Sequence, residues 1–203
     1  MTDDDSRLIA IHEAIGERAL PPVHEWRPTV TQALDIRIAS DGQWYHEGVP
    51  IRRERMVRLF STVLRVDDDE ETGEPATYLV TPQLRLRIVV DDAPFTAVAL
   101  ERHGAPEATT LVFTTNVGER VVADAEHPIV VEYAHPDADP RPYVVVRDRL
   151  RALISRAVFI ELAGHAGEGA DGALGVVSRG TFMRLGPVPG EASGAGARSD
   201  DGS

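Results

Sequence analysis

From residue 35 onward the apolar residues come in short runs, each broken by Gly, Pro, Asp or Ser before a long helix can form. Asp35-Ile36-Arg37-Ile38-Ala39 alternates with a period of two, Ser40-Asp41-Gly42 supplies a turn, and residues 43–46 return. Alternation of that period turns one face of a strand to the core and the other to water, and turn residues between such runs make hairpins. The same pattern predicts strands over 61–66, 77–81, 84–90, 95–100, 109–114, 120–123, 129–133, 143–146, 174–178 and 181–185, with an acidic turn at 67–73. Helical spacing shows in three places. Leu8, Ile11 and Ile15 predict an amphipathic helix over 6–19, Met56, Leu59 and Phe60 a short one over 53–60, and residues 147–153 another. Residues 154–163 fit either strand or helix. The expected fold class is α+β, mainly antiparallel sheet with short helices.

Composition narrows the function. A chain of 203 residues with 42% hydrophobic content can bury a sizeable core. The absence of cysteine removes disulfides, thiol catalysis, iron–sulfur clusters and the usual structural zinc sites. Net charge is −12, which argues against a dedicated binder of nucleic acid or anionic membrane unless the charge is unevenly spread. That charge is unevenly spread: it sits in residues 3–5, in 67–74 and in the last residues, and elsewhere acids and arginines nearly balance. There is no lysine, so every basic side chain apart from histidine is arginine. An acidic N-terminus and apolar runs far shorter than about 18 residues give no signal peptide and no spanning helix, so a cytoplasmic location is expected. Residues 187–203, rich in Gly, Ala, Ser and Asp, are expected to be disordered.

The chain also repeats itself. Arg53-Glu54-Arg55-Met56-Val57-Arg58-Leu59-Phe60-Ser61-Thr62-Val63-Leu64 aligns with Arg147-Asp148-Arg149-Leu150-Arg151-Ala152-Leu153-Ile154-Ser155-Arg156-Ala157-Val158, with four identities and five conservative exchanges. Self-similarity at this long period implies a duplicated unit; two unrelated amphipathic helices are the alternative. The expected organisation is an N-terminal helix in 1–20, an α+β half in 21–108, a second in 109–186, and the tail. Because the first copy turns strand-like after Phe60, a strand is favoured over 154–163.

Several segments resemble a bacterial family, domain of unknown function 1285. They are Pro21-Pro22-Val23 with Trp26-Arg27-Pro28, Asp41-Gly42-Gln43-Trp44-Tyr45, Gly48-Val49-Pro50-Ile51 with Arg53, Tyr78-Leu79-Val80-Thr81-Pro82 and Val90-Asp91-Asp92-Ala93-Pro94-Phe95. The second half adds Thr114-Thr115-Asn116-Val117-Gly118, Pro142-Tyr143-Val144-Val145-Val146-Arg147 and Gly175-Val176-Val177-Ser178-Arg179-Gly180. The resemblance implies a two-domain duplication whose second half looks like a pleckstrin-homology barrel. It also implies a nucleotide-like ligand at the domain interface and a role in signalling, and it brings no enzymatic activity. The family commonly carries an acidic residue after Thr-Pro, where Gln83-Leu84 stand here, so contacts of that carboxylate do not carry over.

The candidate site comes from the starts of the repeated helices. A helix N-terminus leaves N–H groups unpaired and carries partial positive charge, so Ser, Thr, Asp or Asn usually precedes it. Here Pro50-Ile51-Arg52 and Val145-Val146 stand instead, with Arg53 and Arg55, or Arg147 and Arg149, in the first turns. Local rules broken at matching places mark functional sites. Free N–H groups and guanidinium forks suit phosphate or carboxylate. Structural ion pairs, with Asp91 or Asp92 among the acids, are the competing reading. Trp44 offers a face for a base or packs in the core. Asn116, the only asparagine, serves a turn or touches ligand. Asp92 is a candidate ligand contact and the one carboxylate to name for a hydrolase. No cofactor or metal is implied: the seven histidines form no ligand motif. Gly167-Glu168-Gly169-Ala170-Asp171-Gly172 matches a dinucleotide fingerprint in letters only, because a strand is expected after it. The expected function is a non-enzymatic module that binds an anionic, nucleotide-like small molecule between two halves, with Arg53 and Arg147 on phosphate. A protein-interaction scaffold and a hydrolase are the alternatives.

Overall fold

The computed structural model describes residues 20–105, 108–133, 135 and 138–186. The expected helix over 6–19 and the expected disordered tail over 187–203 lie outside the described residues. Among the described residues the fold is α+β, with mainly antiparallel sheets and two short helices. The order is β1 (Val30–Ile38), β2 (Trp44–His46), β3 (Val49–Pro50), α1 (Glu54–Thr62), β4 (Leu64–Asp68), β5 (Pro75–Val80) and β6 (Leu84–Val90), then β7 (Phe95–His103), β8 (Thr110–Thr115) and β9 (Arg120–Val122). After these come β10 (Ile129–Glu132), β11 (Arg141–Arg147), β12 (Leu150–Ile154), α2 (Arg156–Ala163), β13 (Gly167–Glu168), β14 (Leu174–Ser178) and β15 (Thr181–Arg184). Each sequence half carries one short helix followed by an antiparallel meander, β4–β5–β6 after α1 and β13–β14–β15 after α2.

The chain forms two compact units. The first holds the described residues up to 96, with 115–119 and 146–152. Its sheet runs β3-β2-β1-β6-β5-β4, with neighbouring strands antiparallel except β1 and β6, which are parallel. Leu34, Ile36 and Ile38 alternate inward along β1 as the period-two reading expects, and Leu79, Leu86, Trp44 and Phe60 complete that core at 4% exposure or less. The second unit takes in most of the sheet β10-β11-β12-β7-β8-β9, which curls as a half-barrel, and the three-stranded sheet β13-β14-β15. Phe113, Val144, Val158, Leu162, Val176 and Met183 fill its core.

Two expectations need correction. Residues 147–153 form no helix: β11 ends at Arg147, Asp148 takes the turn at φ 45°, and β12 begins at Leu150. Leu150, Ala152 and Ile154 are buried and Arg151 and Leu153 half-buried, which is strand alternation. Residues 156–163, expected to be a strand, are helix α2. Ser155 caps it by accepting from Val158 N, and Val158 and Leu162 share the buried face four residues apart. The twelve-residue alignment therefore sets a helix against a hairpin, while the helices that correspond by order are 54–62 and 156–163. The glycine-rich run at 167–172 is a hairpin turn as expected, with Gly172 at φ 78°.

Candidate functional site

A cleft of about 460 Å³ opens in the first unit at the start of α1. The β1–β2 turn gives it Gly42, Gln43 and Trp44, and the approach and first turns of α1 give Ile51, Arg52, Glu54, Val57 and Arg58. Asn116 and Val117, on the turn after β8, form the opposite wall. Its volume is that of a small-molecule site.

The helix is anchored from one side only. Phe60 and Ser61 are buried, Met56, Val57 and Leu59 half-buried, and the remaining face is solvent. Ser61 and Thr62 turn their hydroxyls back onto Arg58 O and Leu59 O at 2.7 Å, which loosens the last turn before β4 begins. At the other end Arg53 is the N-cap, with extended backbone and no side-chain cap. Met56 N and Val57 N both donate to Arg53 O, so the N–H groups of Glu54 and Arg55 have no partner among the described residues. Glu54 is the only acid in the first turn, and its contact with Arg58 is exposed and 3.7 Å long. Such a pair contributes only about 0–0.5 kcal/mol. Arg52, Arg53 and Arg55 are exposed and make no ion pair with any described residue.

Trp44 adds a second feature. It is 1% exposed, packed on Phe60 with ring centroids 6.3 Å apart, so it presents no open face for stacking. Its Nε1–H is a buried donor without a partner among the described residues. Such a donor costs roughly 1–3 kcal/mol until an acceptor meets it.

The other candidates are placed differently. Arg147 is not at a helix start. Its guanidinium meets Glu119 at 2.5 and 2.6 Å, donates to Ser61 O at 2.5 Å and lies 5.3 Å from the Phe95 ring centre. Arg149 pairs with Asp68 at 2.7 Å. Asp91 pairs with Arg37 at 2.5 Å, not with the repeated arginines, and that guanidinium holds its carboxyl below the usual range. Asp92, half-buried on the bend after β6, does not line the cleft. Asn116 works through its side chain, not through an unusual backbone angle. Its Oδ1 accepts from Thr96 N at 3.1 Å, its Nδ2 donates to Gly42 O at 3.4 Å, and Gly118 takes the left-handed position, at φ 86°. No group of three or more His, Asp or Glu able to hold a metal ion occurs among the described residues. Of the expected site residues, Trp44 and Asn116 line the cleft; Arg53 and Arg55 lie beside it at the start of α1 without lining it, while Arg147 and Arg149 are ion-paired. Arg52, Arg58 and Gln43 were missed; the Arg52-Arg53 pair at an uncapped start is the signal that points to the first of them.

Two family models match the chain. One described as Domain of unknown function (DUF1285), N-terminal domain, spans residues 21–93, and one described as Protein of unknown function (DUF1285), C-terminal domain, spans 94–185. A solved DUF1285 family protein from Silicibacter pomeroyi is 40% identical, with a TM-score of 0.78 over 88% of this chain and 93% of that one. A second, from Shewanella baltica, is 23% identical with a TM-score of 0.48 over 64% and 90%. No curated protein matches the chain.

Proposed function

The chain belongs to the DUF1285 family, and from that premise we propose that its first unit binds a small phosphorylated, nucleotide-like ligand in the cleft at the start of α1. One observation carries the reading: an uncapped helix N-terminus faces a small-molecule-sized cleft, and Arg52, Arg53 and Arg55 beside it make no ion pair with a described residue. Three guanidinium groups within four successive residues repel one another, and the helix dipole adds to the cost. A phosphate removes both costs. It accepts from the free N–H groups of Glu54 and Arg55 and takes paired bonds from a guanidinium fork. Occupancy would be read by other components of a signalling pathway, without chemistry on the ligand.

The test is a thermal-shift screen of nucleotides, sugar phosphates and pyrophosphate against wild type and an Arg52→Ala/Arg53→Ala variant. A ligand at a hundred times its Kd stabilises by about 2.7 kcal/mol, or roughly 5–10 °C for a chain of this size. The expected outcome is such a shift in wild type and its loss in the variant. No shift with any compound, or equal shifts in both proteins, would rule the reading out.

A further inference from the structure

We propose that Arg147 is the clasp that holds the two walls of this cleft at a fixed separation, and so a positioning residue for the anion. One wall is α1 and the other the turn at 115–119. Nothing in the sequence near either wall joins them, and Arg147 touches both from the end of β11. Its Nη2 donates to Ser61 O in the last turn of α1, where carbonyls lack helical partners and α1 has no basic residue of its own. Its Nη1 meets both oxygens of Glu119. Glu119 belongs to a tight turn: its N–H donates to Thr115 Oγ1 at 3.0 Å, and Thr115 N donates to its carbonyl at 2.8 Å.

The connections then run round the cleft. Asn116 N donates to Thr96 O at 2.8 Å, and the Asn116 side chain ties Thr96 N to Gly42 O. Gln43 Nε2, next to Gly42, donates to Trp44 O at 2.9 Å and to Ile51 O at 3.4 Å. Ile51 N returns to Trp44 O at 2.8 Å, and the chain enters α1 two residues later. The circuit is closed by hydrogen bonds and backbone, and the Arg147–Glu119 contact is its one ionic link. That pair is 16% and 22% exposed, so bulk water screens it less than the surface pairs of this protein. Only a planar two-armed donor spans Ser61 O and Glu119 together; a lysine ammonium reaches one acceptor with a flexible stem.

This inference rests on the cleft being the anion site, but its test does not. Hydrogen exchange is measured segment by segment on the full chain for wild type, Arg147→Met, Arg147→Lys and Glu119→Gln, without ligand. Arg147→Met is expected to speed exchange about tenfold in both 60–63 and 115–119, the loss of a charged hydrogen bond of about 1.4 kcal/mol. Arg147→Lys keeps Glu119 and releases Ser61, so it speeds exchange in 60–63 and leaves 115–119 slow. Glu119→Gln does the reverse. Changes confined to 145–149, or the same pattern in all variants, would overturn the clasp. If Arg147→Met fails to fold, the opposite patterns of the lysine and glutamine variants still decide. Pyrophosphate titration separates the two proposals. Segment-specific exchange in a wild type that binds no pyrophosphate keeps the clasp and removes the site. Unchanged pyrophosphate affinity in Arg147→Met, with a binding wild type, keeps the site and removes the clasp.

Discussion

A methyl group added at Gly42 meets Asn116 Nδ2 at 2.8 Å and Thr96 Oγ1 at 2.9 Å, on a backbone at φ 83°. The left-handed conformation alone costs an alanine roughly 1–2 kcal/mol, and Asn116 does not move without giving up its bond to Gly42 O. Gly42→Ala is expected to lower stability in urea by about 2 kcal/mol, while Gly48→Ala, with nothing nearby, loses only the backbone share. Equal losses would show that the Asn116 contact is unimportant. Asp69 supplies a second single-residue prediction. It is 8% exposed and meets Tyr78 OH at 3.0 Å, Glu71 N at 3.1 Å, Thr72 N at 3.2 Å and Arg87 at 3.0 Å. Burial pushes its carboxyl up, but Tyr78, the two N–H groups and Arg87 together pull it below its ordinary value. Burial first, and then the bond to Asp69, push the Tyr78 phenol the other way. The folded Asp69 thus binds a proton less well than the unfolded one. Its stabilisation is complete above the unfolded pKa of about 3.9 and is lost as pH falls through the lower folded value. The urea midpoint is expected to fall between about pH 5 and pH 2, and Asp69→Asn to flatten that fall while lowering the midpoint at pH 7. An unchanged acid limb in the variant would contradict this.

The two helices differ most at their starts. α2 has Ser155 accepting from Val158 N; α1 has Arg53 and nothing. Ser155→Ala is expected to cost about 1 kcal/mol, measured by urea denaturation. Arg53→Asp supplies a cap and a favourable charge, so it is expected to stabilise the protein by about 1 kcal/mol. A structural ion-pairing role for Arg53 predicts the opposite sign. At this scale the sequence was readable where one period was unambiguous. β1, β2, α1 and β6 follow from alternation or helical spacing alone. Residues 147–163 were misread because the alignment with 53–64 overrode two local signals. Leu150, Ala152 and Ile154 alternate by two, and Ser155 stands four residues before Phe159 as a cap stands before a helix. Likeness in letters followed Arg and Leu, which suit either structure. The cap and the alternation follow backbone hydrogen bonding, which does not.

Among the described residues, the only acid lining the cleft with its arginines is Glu54. Several of the 67–74 acids engage neighbouring arginines: Asp67 meets Arg65 and Arg85, Asp68 meets Arg149, Asp69 meets Arg87, and Glu70 meets Arg85. The net −12 therefore leaves the start of α1 locally cationic. Sheet edges weigh against strand addition by a partner: β3 is two residues ending in Pro50, and β4 carries Arg65, Asp67 and Asp68. The uncapped start and its arginines were legible in the sequence, because they are neighbours in the chain. The part played by Glu119 was not, because its link to Arg147 and Ser61 joins residues far apart in the chain and leaves no spacing to read. The most direct measurement is calorimetric titration of inorganic pyrophosphate into wild type and Arg53→Asp at low salt. The account predicts one saturable site in wild type, and affinity at least tenfold weaker in a variant that melts no lower. Absence of binding to wild type, or equal binding by a stably folded Arg53→Asp, would contradict it.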